Sequence, residues 1–254
     1  MSKTIQSLER GLLILDIIGK AEKPLLLNEI AEHFAIDRSS VFRLISTLVK
    51  NEFVVQHPET KRYSLGYHIL ELSGAFNDFS YTENLIQPLM KRIQAATNQN
   101  THLAVLDGSE VLFLAVEQPR DHLSLNLSVG TREPAVVTAL GKALLAFMPA
   151  DELKSILTKI KYKKYTNKSV GSAAELKKNL EQVRSDYLAV DNEEYRSGII
   201  CFAAPVFDHT RKVKYSIGIS GLGDLIKPNA DKYGALVKQA GMEASLLLGY
   251  KNQI

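Results

Sequence analysis

Residues 37–50 constrain the fold most strongly, because their apolar side chains recur at the spacing of an amphipathic helix. The apolar stripe consists of Val41, Leu44, Ile45 and Leu48. Asp37 stands where an N-cap side chain would accept hydrogen bonds from the free amides of the first turn. The spacing therefore predicts a helix from about Asp37 to Lys50 with one buried and one exposed face.

The exposed face of this helix combines short hydroxyl side chains with long cations and has few acids. It carries Arg38, Ser39, Ser40, Arg43, Thr47 and Lys50. Hydroxyls close to the backbone, beside a guanidinium group, suit the base-pair edges of a DNA major groove. Phe42 interrupts the polar pattern. We expect it to pack on the helix, although a phenyl ring can also touch a thymine methyl group.

Two shorter amphipathic segments precede this helix. The first, over 7–20, has an apolar stripe of Leu8, Leu12, Leu15 and Ile18. The second is about seven residues long, with a stripe of Leu27, Ile30, Ala31 and Phe34, and Asn28 is its expected N-cap. Only a tight turn fits between the second and third segments.

A hairpin is predicted directly after the third helix, with strands over 53–56 and 61–65 around a turn at 57–60. Lys61 and Arg62 lie at its tip, where cations can contact phosphates beside a groove. Three helices and a hairpin are the order of a winged helix-turn-helix. The same pattern also suits a protein-docking module or a simple small core.

Charge does not by itself argue for nucleic acid. The net charge is only +3, and residues 1–66 contain nine Lys or Arg against eight Asp or Glu. Any argument for DNA binding must therefore rest on where the charges lie and not on their sum. The single cysteine, Cys201, excludes an internal disulfide framework. With no signal peptide and no apolar run of membrane-spanning length, we expect a cytoplasmic protein without membrane contact.

The remaining residues predict mixed helices and strands. Helices are expected over 66–79, 81–97, 138–147, 173–187 and 229–248, and strands over 102–107, 111–117, about 123–127, 199–207 and 212–220. Asp107 and Gly108 are expected to turn the first hairpin. The segment 66–79 has more apolar surface than one domain contact requires. It is either a core helix or a dimerising linker.

The sequence contains no convincing catalytic motif. Residues 218–222, GISGL, miss the spacing of a nucleophile elbow, and 221–223, GLG, lack the third glycine of a dinucleotide loop. No Walker loop and no zinc-ligand spacing occurs. We therefore predict no catalytic residue, no metal and no cofactor. An enzyme built on the second domain and a ligand-binding module without DNA binding remain alternatives.

The order of short motifs resembles the IclR family of transcription regulators. In the first part these motifs are SLERGL (7–12), RSSVFRL (38–44) and YSLG (63–66). In the second they are LAVLDG (103–108), VGTR (129–132), TALGKA (138–143), DNEEY (191–195) and AAPV (203–206). Each motif is weak alone, but together and at these spacings they are specific.

The resemblance implies an α+β chain with three parts. They are a winged helix-turn-helix at 1–66, a linker helix at 67–80, and a GAF-like effector-binding and oligomerisation domain with a curled antiparallel sheet at 81–254. Dimers that often pair into tetramers would bind an operator in double-stranded DNA. We expect a repressor, although the residues do not distinguish repression from activation. The expected DNA contacts are Arg38, Ser39, Ser40, Arg43, Thr47, Lys61 and Arg62.

The resemblance also implies a pocket for a small effector. The matching positions are His122, Leu125, Glu133, Ala139, Leu140, Asp191, Ile199, Cys201, Gly218 and Ser220. Backbone amides around 139–141, at a helix start, can hold an anion. Glu133 replaces a usually apolar residue and would repel a carboxylate, unless it turns outward or pairs with Arg132. The effector is therefore expected to be a small organic acid or related metabolite, with a polyol, an aromatic or a hydroxy acid favoured over a simple keto acid.

Overall fold

The computed structural model describes residues 4–74, 77–119, 127–160 and 162–251. The chain divides into two compact units between Phe79 and Ser80. Among the described residues, no helix is both long enough and apolar enough to cross a membrane.

The first unit is built from short helices and a hairpin. Its elements are α1 (Gln6–Lys20), α2 (Leu27–Ala31), α3 (Arg38–Lys50), β1 (Val54–Gln56), β2 (Tyr63–Leu65) and α4 (His68–Gly74). Strands β1 and β2 pair antiparallel, with Val54 opposite Leu65. This order confirms the predicted winged helix-turn-helix. Its core contains Ile14, Ile18, Ile30, Val41, Ile45, Val54 and Tyr63.

Two local predictions for this unit are wrong. Leu8 and Leu12 are 59% and 57% exposed, because α1 instead buries the face that carries Ile14 and Ile18. Helix α2 begins at Leu27, so Asn28 lies inside the helix and is not its N-cap. The Glu29 side chain reaches back and accepts the amide of Leu26, which fulfils the capping role.

The second unit contains six described strands and several helices, the first of which begins three residues before the boundary. Its elements are α5 (Asn77–Thr97), β3 (Asn100–Asp107), β4 (Glu110–Glu117), β5 (Arg132–Pro134), α6 (Ala139–Ala146), α7 (Ala150–Leu157), α8 (Ala173–Asp186), β6 (Ala189–Asn192), β7 (Ile199–Phe207), β8 (Val213–Leu222), α9 (Gly223–Ile226) and α10 (Ala230–Leu247). A short 3₁₀ turn, Lys227–Asn229, joins α9 to α10.

These strands form one antiparallel sheet in the order β5-β4-β3-β8-β7-β6. The register shifts between Leu103 and Ala104 and between Val206 and Phe207. Such irregularities bend and twist a strand, and they contribute to the curl of the sheet. Its two faces are covered by different helices. One face joins α6 and α8 in a core that includes Phe113, Leu144, Leu180 and Ala203. On the other face, Gly241 of α10 packs against Ala204, where an added Cβ would lie 2.6 Å from the alanine methyl.

Most of the predicted elements of the second unit are present, with shifted ends. Helix α5 begins at Asn77, four residues before the predicted start. The expected strand over 123–127 falls outside the described residues, except for Leu127, which lies in no strand. Strands β5 and β6 and helices α7 and α9 were not predicted. Three or four residues are too few for a strand to show an alternating pattern. Within the linker segment, α4 is helical, and residues 75 and 76 fall outside the described residues.

Candidate nucleic-acid interface and ligand pocket

Asp37 caps α3, as predicted. One of its carboxylate oxygens accepts the backbone N–H of Ser40 at 2.9 Å. The hydroxyls of Ser39 and Ser40 donate to the same carboxylate at 2.5 and 2.8 Å. These hydrogen bonds, led by the one from Ser39, hold the pKa of Asp37 well below its usual range. The negative charge is therefore directed at its own helix start, where the backbone amides stabilise it.

The exposed face of α3 has the predicted polar residues and two more. Arg38, Ser39, Arg43, Thr47 and Lys50 are exposed, and Ser40 is half-buried. Thr47 donates its hydroxyl to the carbonyl of Arg43 at 2.9 Å. The two further exposed residues are Phe42 and Ser46. Phe42 follows the buried Val41 and is 50% exposed, so half of its surface faces solvent, and its packing on the helix stays a prediction.

The two cations at the hairpin tip differ in their surroundings. Lys61 is exposed and has a positive φ of 57°. Arg62 points back toward the helices, and its Nη1 atom donates to the Pro24 carbonyl at 2.9 Å and to Glu29 at 3.0 Å. Arg62 thus ties the hairpin to α2 while Lys61 projects from the tip.

The pocket of the second unit is built on neighbouring strands. Asp191 of β6 lies opposite Cys201 of β7, and Cys201 lies opposite Ser220 of β8. Directly paired residues project from the same face of a sheet, so these three side chains form a row. His102 of β3 joins the row through a 2.7 Å contact between its Nε2 and the Ser220 hydroxyl.

The pocket wall contains seven of the ten residues predicted for the effector site. They are Glu133, Ala139, Leu140, Asp191, Ile199, Cys201 and Ser220. His122 and Leu125 lie outside the described residues. Gly218 is not part of the described wall. It serves close strand packing instead, since an added Cβ would lie 2.4 Å from the Phe202 carbonyl oxygen.

Sequence reasoning missed several residues of this wall. They are His102, Phe113, Leu127, Thr138, Tyr195, Arg196 and Ile219. The strand alternation predicted around 102–107 places His102 on a definite face, but it does not say which face the pocket occupies. Arg196 lies in a loop, where no periodic signal exists.

Glu133 points into the pocket and pairs with Arg196. Its carboxylate lies 3.0 Å from an Arg196 nitrogen, and the residue is only 7% exposed. Both expected alternatives, an outward Glu133 or a pair with Arg132, are therefore wrong. Arg132 instead contacts Asp107 at 2.5 Å on the surface. Burial raises the pKa of Glu133, and the Arg196 charge opposes that shift.

Three side chains of the row have shifted pKa values, in each case because of burial. Burial raises the pKa of Asp191 to about 7, although its carboxylate accepts the amides of Glu194 and Tyr195 at 2.7 and 3.4 Å. Burial lowers the pKa of His102 to about 3, so its imidazole is neutral at physiological pH. Burial also raises the pKa of the Cys201 thiol well above its usual value, which disfavours the nucleophilic thiolate.

The start of α6 supplies backbone donors to the same pocket. Thr138 caps the helix and accepts the Gly141 amide at 3.4 Å. The first amides of a helix have no partner within it, and Ala139 and Leu140 line the pocket. This wall can therefore hold an anionic group at the helix start. Within the described ranges, no three His, Cys, Asp or Glu side chains are grouped closely enough to hold a metal ion.

Comparisons with known protein families match both units. The model for the C-terminal domain of the bacterial transcriptional regulator IclR matches residues 83–246, and the model for the IclR helix-turn-helix domain matches residues 7–58. The chain belongs to the IclR family. It therefore has an N-terminal DNA-binding domain and a C-terminal effector-binding domain, as its sequence resemblance implied.

Individual IclR-family proteins are similar over almost the whole chain. The regulator XynR of Escherichia coli is 29% identical over 97% of this chain and 98% of its own length. The transcriptional repressor IclR of Escherichia coli is 27% identical over 96% of this chain and 90% of its own length. The crystal structure of Thermotoga maritima IclR has a TM-score of 0.79 and 29% identity, covering 97% of this chain and all of that chain.

Proposed function

We propose that this IclR-family protein binds an operator through the exposed face of α3, and that a small hydroxylated acid in the pocket of the second unit modulates this binding. The arrangement of side chains at the start of α3 supports operator binding most strongly. Asp37 is engaged by Ser39 and Ser40, so the exposed face presents Arg43 and Lys50 without a competing acid. Such a face suits the negative potential of a groove.

The contacts on DNA divide by chemistry. Arg43 would bind a base edge, since a guanidinium pairs with the O6 and N7 atoms of guanine. The hydroxyls of Ser39 and Ser40 donate hydrogen bonds to Asp37, and their oxygen lone pairs can still accept hydrogen bonds from a base or from water. Thr47 lies one turn beyond Arg43 on the same exposed face.

Cations at the edges of this surface would contact phosphates. Arg38 at the helix start and Lys61 at the hairpin tip are both exposed. Arg62 uses Nη1 for Pro24 and Glu29, and its remaining nitrogens can add a weaker contact. By analogy with relatives named as repressors, we propose that the protein represses transcription. We also propose that it acts as a dimer or tetramer that places two α3 helices in successive major grooves.

The chemistry of the pocket supports a hydroxy acid as the effector. The amides of Ala139 and Leu140 offer a site for a carboxylate at the helix start. Ser220, Asp191 and the Glu133–Arg196 pair offer partners for hydroxyl groups. The Glu133 carboxylate would repel a second acidic group on the ligand. This combination suits one carboxylate together with several hydroxyls.

Operator binding is tested by fluorescence anisotropy with the upstream region of the protein's own gene and a shuffled duplex of equal composition, at fixed salt. We expect binding to the upstream duplex to be at least on the order of 10³-fold tighter. Equal affinity for both duplexes would contradict the proposal and would favour a module that no longer reads DNA.

The effector is tested by native mass spectrometry of the purified protein, followed by titration of sugar acids into the operator complex. A true effector should change operator affinity by on the order of 5- to 150-fold, since it acts only through its different affinities for two states. Ser220→Ala should weaken this response while leaving operator affinity without ligand unchanged. A response identical in the variant would remove Ser220 from the ligand site.

A further inference from the structure

Phe42 is an aromatic residue at the edge of the polar face of α3, beside the apolar side chains of Ile45 and Val49. It is 50% exposed, while its neighbours Val41 and Ile45 are fully buried. On a helix, residues three and four positions apart lie side by side, so Phe42 is flanked by Ser39 and Ser46. The ring therefore stands at the edge of the face that the proposed function assigns to the major groove, next to its hydroxyl residues.

The core of the first unit does not explain this position. The buried stripe of α3 is supplied by other residues, and the cluster of buried and partly buried side chains around it does not include Phe42. A single exposed apolar residue on a protein surface needs no explanation by itself. This one differs because it lies next to Arg43 and between two hydroxyl residues on one helix face.

The major groove presents one apolar group, the C5-methyl group of thymine. We propose that Phe42 is a specificity-determining residue that packs on a thymine methyl, next to the base pair contacted by Arg43. This inference rests on the proposed function, because it requires α3 to enter the groove. The operator should then contain a thymine close to the guanine that Arg43 reads, and Phe42 should disfavour cytosine at that position.

The test replaces thymine by uracil, which removes the methyl group and leaves the hydrogen-bonding edge intact. A duplex selected by the wild-type protein from a random library serves as the probe, with uracil introduced at one thymine position at a time. Burying one methyl-sized group contributes about 0.8 kcal/mol, so we expect about fourfold weaker binding at one position of a half-site. The Phe42→Ala variant should bind the thymine and uracil duplexes equally.

Two controls separate the methyl contact from other losses. Arg43→Ala should bind more weakly overall but keep the ratio between thymine and uracil, because its partner is a different base. Phe42→Leu should keep part of that ratio, since leucine retains apolar surface. Circular dichroism of each variant should match the wild type, because the replaced side chains are exposed.

Several results would overturn the inference. A wild-type protein that tolerates uracil at every position reads no methyl group. A Phe42→Ala variant that still discriminates thymine from uracil assigns the methyl contact to another residue. If such a variant also binds both duplexes more weakly by the same factor, the ring contacts sugar or backbone instead of the methyl group. If the wild-type protein selects no duplex at all, the proposed function fails together with this inference. If it selects a duplex but tolerates uracil, only the inference about Phe42 fails.

Discussion

The ammonium group of Lys142, on α6, lies 2.5 Å from the Glu194 carboxylate in the loop after β6. Lys142 is fully buried and also donates to the Val190 carbonyl at 2.6 Å. Glu194 in turn donates its amide to Asp191 in the pocket wall. One ion pair therefore connects the helix and the loop that both contribute to the ligand site.

Removing one partner of this pair should be strongly destabilising. Lys142→Met leaves the Glu194 carboxylate buried without its counter-charge, and we expect a loss of about 3–5 kcal/mol of unfolding free energy. The double variant Lys142→Met, Glu194→Gln should recover much of that loss, because neither charge is left buried. Urea unfolding of the two single variants and the double variant measures the coupling. Additive losses would show that the two side chains do not depend on each other.

Asp191 should make the protein less stable as the pH rises. Its pKa is raised from 3.8 to about 7 in the fold, so the folded state binds a proton more tightly than the unfolded chain does. The stabilisation is complete below about pH 4 and is lost as the pH rises toward 7. The difference in unfolding free energy between wild type and Asp191→Asn should fall by on the order of 2–4 kcal/mol across this range. A constant difference would indicate that Asp191 is ionised throughout.

His102 should make the protein less stable as the pH falls, which is the opposite of the effect of Asp191. Its pKa falls from 6.5 to about 3 in the fold, so the unfolded chain takes up a proton first on acidification. The contribution of neutral His102 to the unfolding free energy is complete above about pH 6.5 and is lost as the pH falls toward 3. Unfolding free energies of His102→Gln and wild type, compared from pH 7 to pH 4.5, should converge. An NMR titration showing a protonated His102 in the folded protein above pH 5 would contradict this.

Lys61 should contribute to DNA binding without regard to sequence. Its exposed position at the hairpin tip suits one phosphate contact, so Lys61→Ala should weaken binding to all duplexes alike. The negative slope of log affinity against log salt concentration should become shallower by about 0.9, because one phosphate contact is lost. The matched control Lys178→Ala removes an exposed charge from α8 in the second unit and should leave the slope unchanged. A loss confined to one operator base pair would instead assign Lys61 to base recognition.

The sequence predicted α3 well because independent signals agree there. The stripe through Val41 and Ile45, the Asp37 cap and the polar opposite face all favour the same helix. In helix α1 the sequence signals conflict. It has apolar residues on two faces, and periodicity alone cannot decide that Ile14 rather than Leu12 meets the core.

The family resemblance predicted seven residues of the pocket wall, but it did not predict the electrostatics of the pocket. Asp191, Cys201 and Ser220 share a face because the register of three strands brings them together. The Glu133–Arg196 pair joins residues far apart in sequence, one of them in a loop. Such contacts depend on the curvature of the whole sheet, which local patterns do not encode.

If the exposed face of α3 reads operator bases, the specificity ratio of the Arg43→Ala variant must be lower than that of the wild type. This ratio is the affinity for a selected operator divided by that for a shuffled duplex, measured by fluorescence anisotropy at fixed salt. We expect Arg43→Ala to lower the operator affinity by about 1–3 kcal/mol and to relax discrimination at one guanine, while its affinity for the shuffled duplex falls much less. An unchanged ratio would show that Arg43 does not contact operator bases and that α3 does not read the operator through this residue.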